Sequence, residues 1–154
     1  MEVVKKIPVP IFISYSHKDE DFKDALLEQL SPLRRTGLIA PWQDRDIVAG
    51  EDWNDAIFEN LRQAKVVLLL VSSSFINSDF CVDKELTAAM ERHKNGECIV
   101  VPIIIRPCDF AEMSFAKFQA VPKNAVPISK WDDADEAWLD VVKKLKVVFN
   151  AVKQ

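Results

Sequence analysis

The sequence predicts a three-layer α/β fold: a five-stranded parallel sheet in the flavodoxin-like order 2-1-3-4-5, with helices on both faces. Three observations carry this. Strand-sized apolar runs alternate with helical patterns along the chain. Within the strand Lys65 to Val71 the run Val66–Val71 is apolar throughout, as a strand covered on both faces must be. The 154 residues, 49% hydrophobic and 29% charged, suit one soluble core of middling size. At this length a folded chain buries roughly 70% of the surface its unfolded form exposes, so neither metal nor disulfide is needed to hold it together.

The elements follow in order. Val9 to Tyr15 is apolar and β-rich, with Pro8 and Pro10 at its start, where a missing N–H is tolerated. After the polar break Ser16 to Asp19, Phe22, Leu26, Leu30 and Leu33 fall on one helical face. Pro32 is expected to kink or shorten the last turn of that helix, and Gly37 to end it. Leu38 to Trp42 is a second strand. Gln43 to Asp52 is a long polar loop containing Gly50, of the length that is often functional. Trp53 to Leu61 reads as a short helix, with Ile57 and Leu61 facing inward and Asp52 capping it. Lys65 to Val71 is the third strand. From Ser78 a second long helix places Val82, Leu86 and Ala89 on one stripe. Cys98 to Ile105 is the fourth strand, in which Pro102 predicts a bulge or an end of pairing. After the irregular stretch Arg106 to Asn124, Ala125 to Ile128 is the fifth. Trp138, Val141, Val142, Leu145, Phe149 and Val152 step along a closing helix that begins near Asp132, Asp133 and Asp135. Residues 9–150 are expected to form the domain, with 1–8 an N-terminal extension and 151–154 a tail.

Several functions are excluded early. A net charge of −4 argues against duplex DNA or anionic membranes as partners, because both are bound by clustered Lys and Arg. No segment reaches the 18 or so apolar residues of a membrane span. Met1 to Lys6 lacks the apolar stretch of a secretory signal. Cys81, Cys98 and Cys108 form no C-x-x-C pair, so they read as reduced thiols of a cytoplasmic protein, and no metal site is expected.

Ligands of such sheets bind outside the carboxyl ends of the strands, which directs attention to Ser14–Asp19, Gln43–Asp52 and Ser72–Asp79. Ser14-Tyr15-Ser16 and Ser72-Ser73-Ser74 supply none of the acidic residues of a phosphoacceptor site. Only 3 glycines occur in the chain, none in a phosphate-binding turn after the first strand. His17 and His93 are far apart in sequence, which gives a nucleophile-base-acid triad little support. Ser72 to Ser74 read as turn formers at a strand end.

Glu85 is more informative. It sits about 60° from the centre of the stripe Val82, Leu86, Ala89, so it borders the core instead of pointing into solvent. Cys81 shares its row, one turn earlier. Trp42 and Trp53 bracket the long loop and offer an aromatic wall to a planar ligand, although both also read as packing residues. Asp44, Arg45 and Asp46 read as a solvated charge run.

Ile11-Phe12-Ile13-Ser14-Tyr15-Ser16, Trp42-Gln43-Asp44 leading to Gly50-Glu51, Val67 to Ser74, Ser78 to Leu86 and Ile99 to Ile104, taken together and in order, resemble the Toll/interleukin-1 receptor (TIR) domain family over about residues 9–150. The resemblance implies cleavage of NAD+ at the nicotinamide–ribose bond by many members, with NAD+ as substrate and no resident cofactor. Glu85, within Ser78-x-x-Cys81-x-x-x-Glu85, matches the catalytic glutamate. Tyr15, Ser16, Trp42, Asp44, Ser78 and Cys81 match substrate-binding positions. Ser16-His17, in place of a basic pair, resembles the bacterial branch of the family. That branch implies a sensor or effector in antiphage immunity or a secreted virulence factor, fused to a sensor domain or served by a separate one. It also implies activation by TIR–TIR self-association in which the Gln43–Asp52 loop of one copy completes the pocket of the next. The competing expectation is a non-enzymatic adaptor that works through homotypic contacts.

Overall fold

The computed structural model describes residues 7–42, 53–78 and 84–152. The elements in chain order are β1 (Val9–Ser14), α1 (Glu20–Arg35), β2 (Ile39–Trp42), α2 (Trp53–Gln63), β3 (Val66–Val71), α3 (Ser73–Ile76), α4 (Lys84–Lys94), β4 (Ile99–Ile104) and α5 (Ala134–Val152). The predicted loop Gln43–Asp52, with Asp44, and residues 79–83, with Cys81 and Val82, lie outside the described residues.

All strand pairings are parallel, in the order β2-β1-β3-β4. Strand side chains alternate between two cores. Ile11 and Ile13, Leu68 and Leu70, and Val101 and Ile103 face a core closed by Leu26, Leu30 and Leu33 of α1 and by Trp138, Val141, Leu145 and Phe149 of α5. Phe12, Val67, Leu69, Val71 and Ile104 face the other, closed by Ile57 and Leu61 of α2, Phe75 of α3, Leu86 and Ala89 of α4, and Phe115. Every residue of β3 is fully buried, which is why that stretch reads as unbroken hydrophobicity. Among the described residues no helix is long and apolar enough to cross a membrane.

Among the described residues the sheet has four strands, not the five the sequence predicts. The expected fifth, Ala125 to Ile128, lies instead in 3-10 turns spanning Lys123–Ala125 and Ile128–Lys130. Pro122 and Pro127 have no N–H to give a ladder, and Asn124 and Ala125 take φ of 59° and 55°, incompatible with a strand. A single parallel bridge between Ile103 and Val121 stands in its place. Ile128 nonetheless enters the core from its turn, so a different backbone satisfies the hydrophobic pattern.

Pro102 does not break β4. The amides of Ile99 and Ile105 bond the carbonyls of Lys65, just before β3, and of Val71 at its end, which directs even-numbered amides to the outer edge. A missing N–H at Pro102 therefore costs the β3 ladder nothing, and pairing runs unbroken to Val71 and Ile104. At the same edge the Val100 amide donates to His93 Nδ1 at 3.0 Å, and the His93 ring packs on Phe118 with centroids 4.1 Å apart. Nδ1 accepts only when it carries no proton. Burial, with a smaller contribution from nearby Lys117, pushes the His93 pKa below its ordinary value. The unfolded chain therefore binds the proton more readily than the folded one. This contribution to stability is complete above the unfolded-state pKa of about 6.5 and declines as the pH falls from there toward the lower folded value. Thermal melts between pH 7.5 and pH 5 should show a falling Tm, and His93→Asn, which keeps an acceptor without the titration, should flatten that part of the profile.

α1 continues through Pro32 to Arg35. It ends where Gly37 takes φ of 79°, with the Gly37 amide donating to the Arg34 carbonyl and the Leu38 amide to the Leu33 carbonyl. A Cβ on Gly37 would touch nothing within 4 Å, so Gly37→Ala meets only the backbone penalty. A loss of about 1 kcal/mol is expected in chemical denaturation.

Candidate functional site

The carboxyl ends of the strands carry the predicted residues. Trp42 ends β2 and is half-buried, its ring stacked on Phe12 at 5.2 Å and 27°. Beyond β3, Ser72 caps α3, its Oγ accepting from the Phe75 amide at 3.0 Å, so Ser72 is the turn former that the sequence predicts. The short helix α3 occupies a stretch where the sequence predicts only a loop. Ser78 follows it with its Oγ buried and no hydrogen-bond partner among the described residues. Glu85 lies in the first turn of α4 and is 5% exposed, as its position beside the apolar stripe predicts. Trp42, Phe75 and Leu86 all belong to the core beneath α2, α3 and α4, so Trp42, Ser78 and Glu85 come from elements on one face of the sheet.

Tyr15 does not join them. Strand alternation turns it to the opposite core, where it is 9% exposed, with Lys23 Nζ 5.4 Å from its ring centroid and His17 beside it at 5.9 Å. Lys23 is itself buried and pairs with Asp24 at 2.6 Å and Glu20 at 3.5 Å. Ser16, half-buried, opens the 3-10 turn His17–Asp19 and accepts from the Lys18 amide at 3.3 Å. Asp44 and Cys81 are outside the described residues. Burial pushes the thiol pKa values of Cys98 and Cys108 up, which keeps both protonated at neutral pH.

A second constellation, which sequence reasoning missed, stands at the same strand ends. Asp19 follows β1 and is 2% exposed. Its Oδ2 accepts from Ser72 Oγ at 2.5 Å and its Oδ1 from Arg106 Nε at 2.8 Å, while Arg106 Nη2 donates to Ser74 Oγ at 2.9 Å. One buried carboxylate thus ties together the ends of β1, β3 and β4. The available signal was Asp19 and Arg106 each lying just past the carboxyl end of a strand. A groove of about 620 Å³ lies elsewhere, along β4, lined by His93, Ile99, Val101, Phe118, Val121 and Leu145 among others. Among the described residues no carboxylate lines it, which sets it apart from the Glu85 and Asp19 sites.

Comparison with known proteins agrees with this layout. The TIR domain family profile matches residues 11–141. The uncharacterized protein y4lF of Sinorhizobium fredii (strain NBRC 101917 / NGR234) is 50% identical over 136 residues, 88% of this chain; the chain spans 42% of that relative's length. The TIR domain of the Toll-related receptor TRR-2 from Hydra magnipapillata superimposes with a TM-score of 0.64 at 18% identity, covering 90% of this chain and 98% of that one. The TIR domains of the activated Roq1 resistosome directly recognizing the pathogen effector XopQ give 0.62 at 14%, covering 88% and 98%. At those identities the structural likeness concerns the fold. With the family profile spanning most of the sequence, the chain belongs to the TIR domain family.

Proposed function

We propose that this TIR domain cleaves NAD+ at the nicotinamide–ribose bond, with Glu85 as the catalytic carboxylate. The observation that supports the reading is the placement of Glu85: a carboxylate 5% exposed, in the first turn of a helix at the carboxyl end of the sheet, on the face that also carries Trp42 and Ser78. Nicotinamide in NAD+ is already cationic and leaves neutral, so no general acid is required; ordinary glycoside hydrolysis usually needs two carboxylates. Glu85 orients the ribose hydroxyls and stabilises the positive charge that develops on the ribose as the bond breaks. Trp42, braced by Phe12, supplies a planar surface for a ring of the substrate. The buried Ser78 hydroxyl is a further polar contact. Water capture yields ADP-ribose, and attack from within the same molecule yields a cyclic ADP-ribose. NAD+ acts as substrate and not as a resident cofactor.

Activity in this reading requires self-association, supported by the likeness to TIR domains of a resistosome and by the 42% of the Sinorhizobium relative that the chain spans, which leaves room there for a further domain acting as sensor. The setting is cytoplasmic immune signalling of bacterial type. The test follows nicotinamide release from NAD+ across protein concentrations, with chromatographic separation of the nucleotide products. Release per protomer should rise with concentration. Release equally robust in dilute monomer would remove the need for assembly. No release even from artificially clustered protein would favour the adaptor reading.

A further inference from the structure

Asp19 occupies the N-cap position of α1, where an aspartate ordinarily accepts from a helix amide, yet its side chain makes no capping hydrogen bond. The carboxylate is turned instead onto Ser72 and Arg106 at 2% exposure. Ser72 has no rotational freedom left in this arrangement, since its hydroxyl donates to Asp19 and accepts from the Phe75 amide. Arg106 is therefore gripped on two sides, Nε by Asp19 and Nη2 by Ser74. A guanidinium has five N–H groups. Nη1 has no partner among the described residues, and the side chain remains 34% exposed. The result is a fixed planar fork with donors to spare, reaching solvent at the strand ends where ligands of parallel α/β sheets bind.

We propose that Arg106 is an anion-binding residue of the site, contacting the diphosphate of the nucleotide ligand, and that Asp19, Ser72 and Ser74 are the positioning residues that hold its guanidinium. The proposal rests on the NAD+ reading above, because NAD+ and ADP-ribose both carry a diphosphate. The chain as a whole is acidic, at −4, and Asp19 cancels the Arg106 charge locally. Recognition therefore comes from hydrogen-bond geometry and not from a long-range field, and the planar fork of arginine matches phosphate oxygens where a lysine would act only as a point charge.

The test uses wild type, Arg106→Lys, and the double variant Asp19→Asn with Arg106→Gln, which removes both charges together so that no carboxylate is stranded in the interior. Thermal melts establish that each is folded. The KM for NAD+ is expected to rise about tenfold or more in the double variant, with kcat changed far less, and by an intermediate amount in Arg106→Lys. The KM for nicotinamide riboside, which lacks the diphosphate, should shift less than about threefold. Inorganic pyrophosphate should compete in wild type and lose that competition in the double variant. Unchanged KM and unchanged pyrophosphate competition in the folded double variant would make the network purely structural and overturn the proposal. Should the protein cleave no NAD+, calorimetric titration with ADP-ribose and with pyrophosphate decides independently. Binding by wild type that falls about tenfold in the double variant sustains the anion site without the enzyme, and absence of binding by wild type refutes it.

Discussion

Glu85→Gln is expected to abolish nicotinamide release, lowering kcat by about 10³-fold or more, which corresponds to about 4 kcal/mol of transition-state stabilisation. The substitution keeps the shape of the side chain and removes the charge that, in the proposed mechanism, faces the developing oxocarbenium ion. Stability should not explain the loss. Glu85 is 5% exposed, and a neutral amide of equal size is less costly to bury than a carboxylate. Circular dichroism and a thermal melt should thus show a native variant. A Gln variant that releases nicotinamide at the wild-type rate would remove Glu85 from the chemistry. A dead variant that is also unfolded would be resolved by Glu85→Asp, which retains the charge on a shorter arm.

The second large effect is on stability. Arg106→Gln leaves the Asp19 carboxylate in the interior with the Ser72 hydroxyl but without its cation. Breaking this buried pair from one side is expected to cost about 3 kcal/mol, the low end of the usual range because Arg106 is one-third exposed. Removing both charges together should cost much less, since the stranded carboxylate disappears with its partner. A double-mutant cycle in urea, with Asp19→Asn, Arg106→Gln and their combination, reads the coupling. Additive single effects would mean that the ion pair contributes nothing beyond its parts.

Most of the fold was legible because it is written in local periodicity. Leu26, Leu30 and Leu33 fall at helical spacing and are buried as that spacing demands, and the apolar run of β3 could only be a strand with both faces covered. Glu85 was legible for the same reason, since its angle from Leu86 and Ala89 fixes its place beside the core. The fifth strand failed because Ala125 to Ile128 is short, contains Pro127 and follows Pro122 closely; four apolar residues do not distinguish a strand from a turn that drops Ile128 into the core. The Asp19 network was illegible for a deeper reason. Asp19 and Ser72 are 53 residues apart and Asp19 and Arg106 87 apart, so only the parallel stacking of β1, β3 and β4 brings them together. Tyr15 shows the limit from the other side. Its motif neighbours lie after β1 as expected, yet the alternation of strand side chains sends its ring to the α1 core.

The outer margin of β4 bears on how copies of this domain could meet edge to edge. Along that margin the outward amides fall at residues 100, 102 and 104. The first donates to His93, the second does not exist because residue 102 is proline, and the third donates to the Val121 carbonyl. At the other side of the sheet the Val9 amide bonds the Leu38 carbonyl, a register that turns Pro41 outward, where it too has no N–H to offer. Among the described residues a foreign strand laid against β4 finds no free backbone donor, so this edge is a poor template for growth into β-aggregates. Contacts between copies at this edge therefore fall to side-chain surfaces and not to backbone pairing.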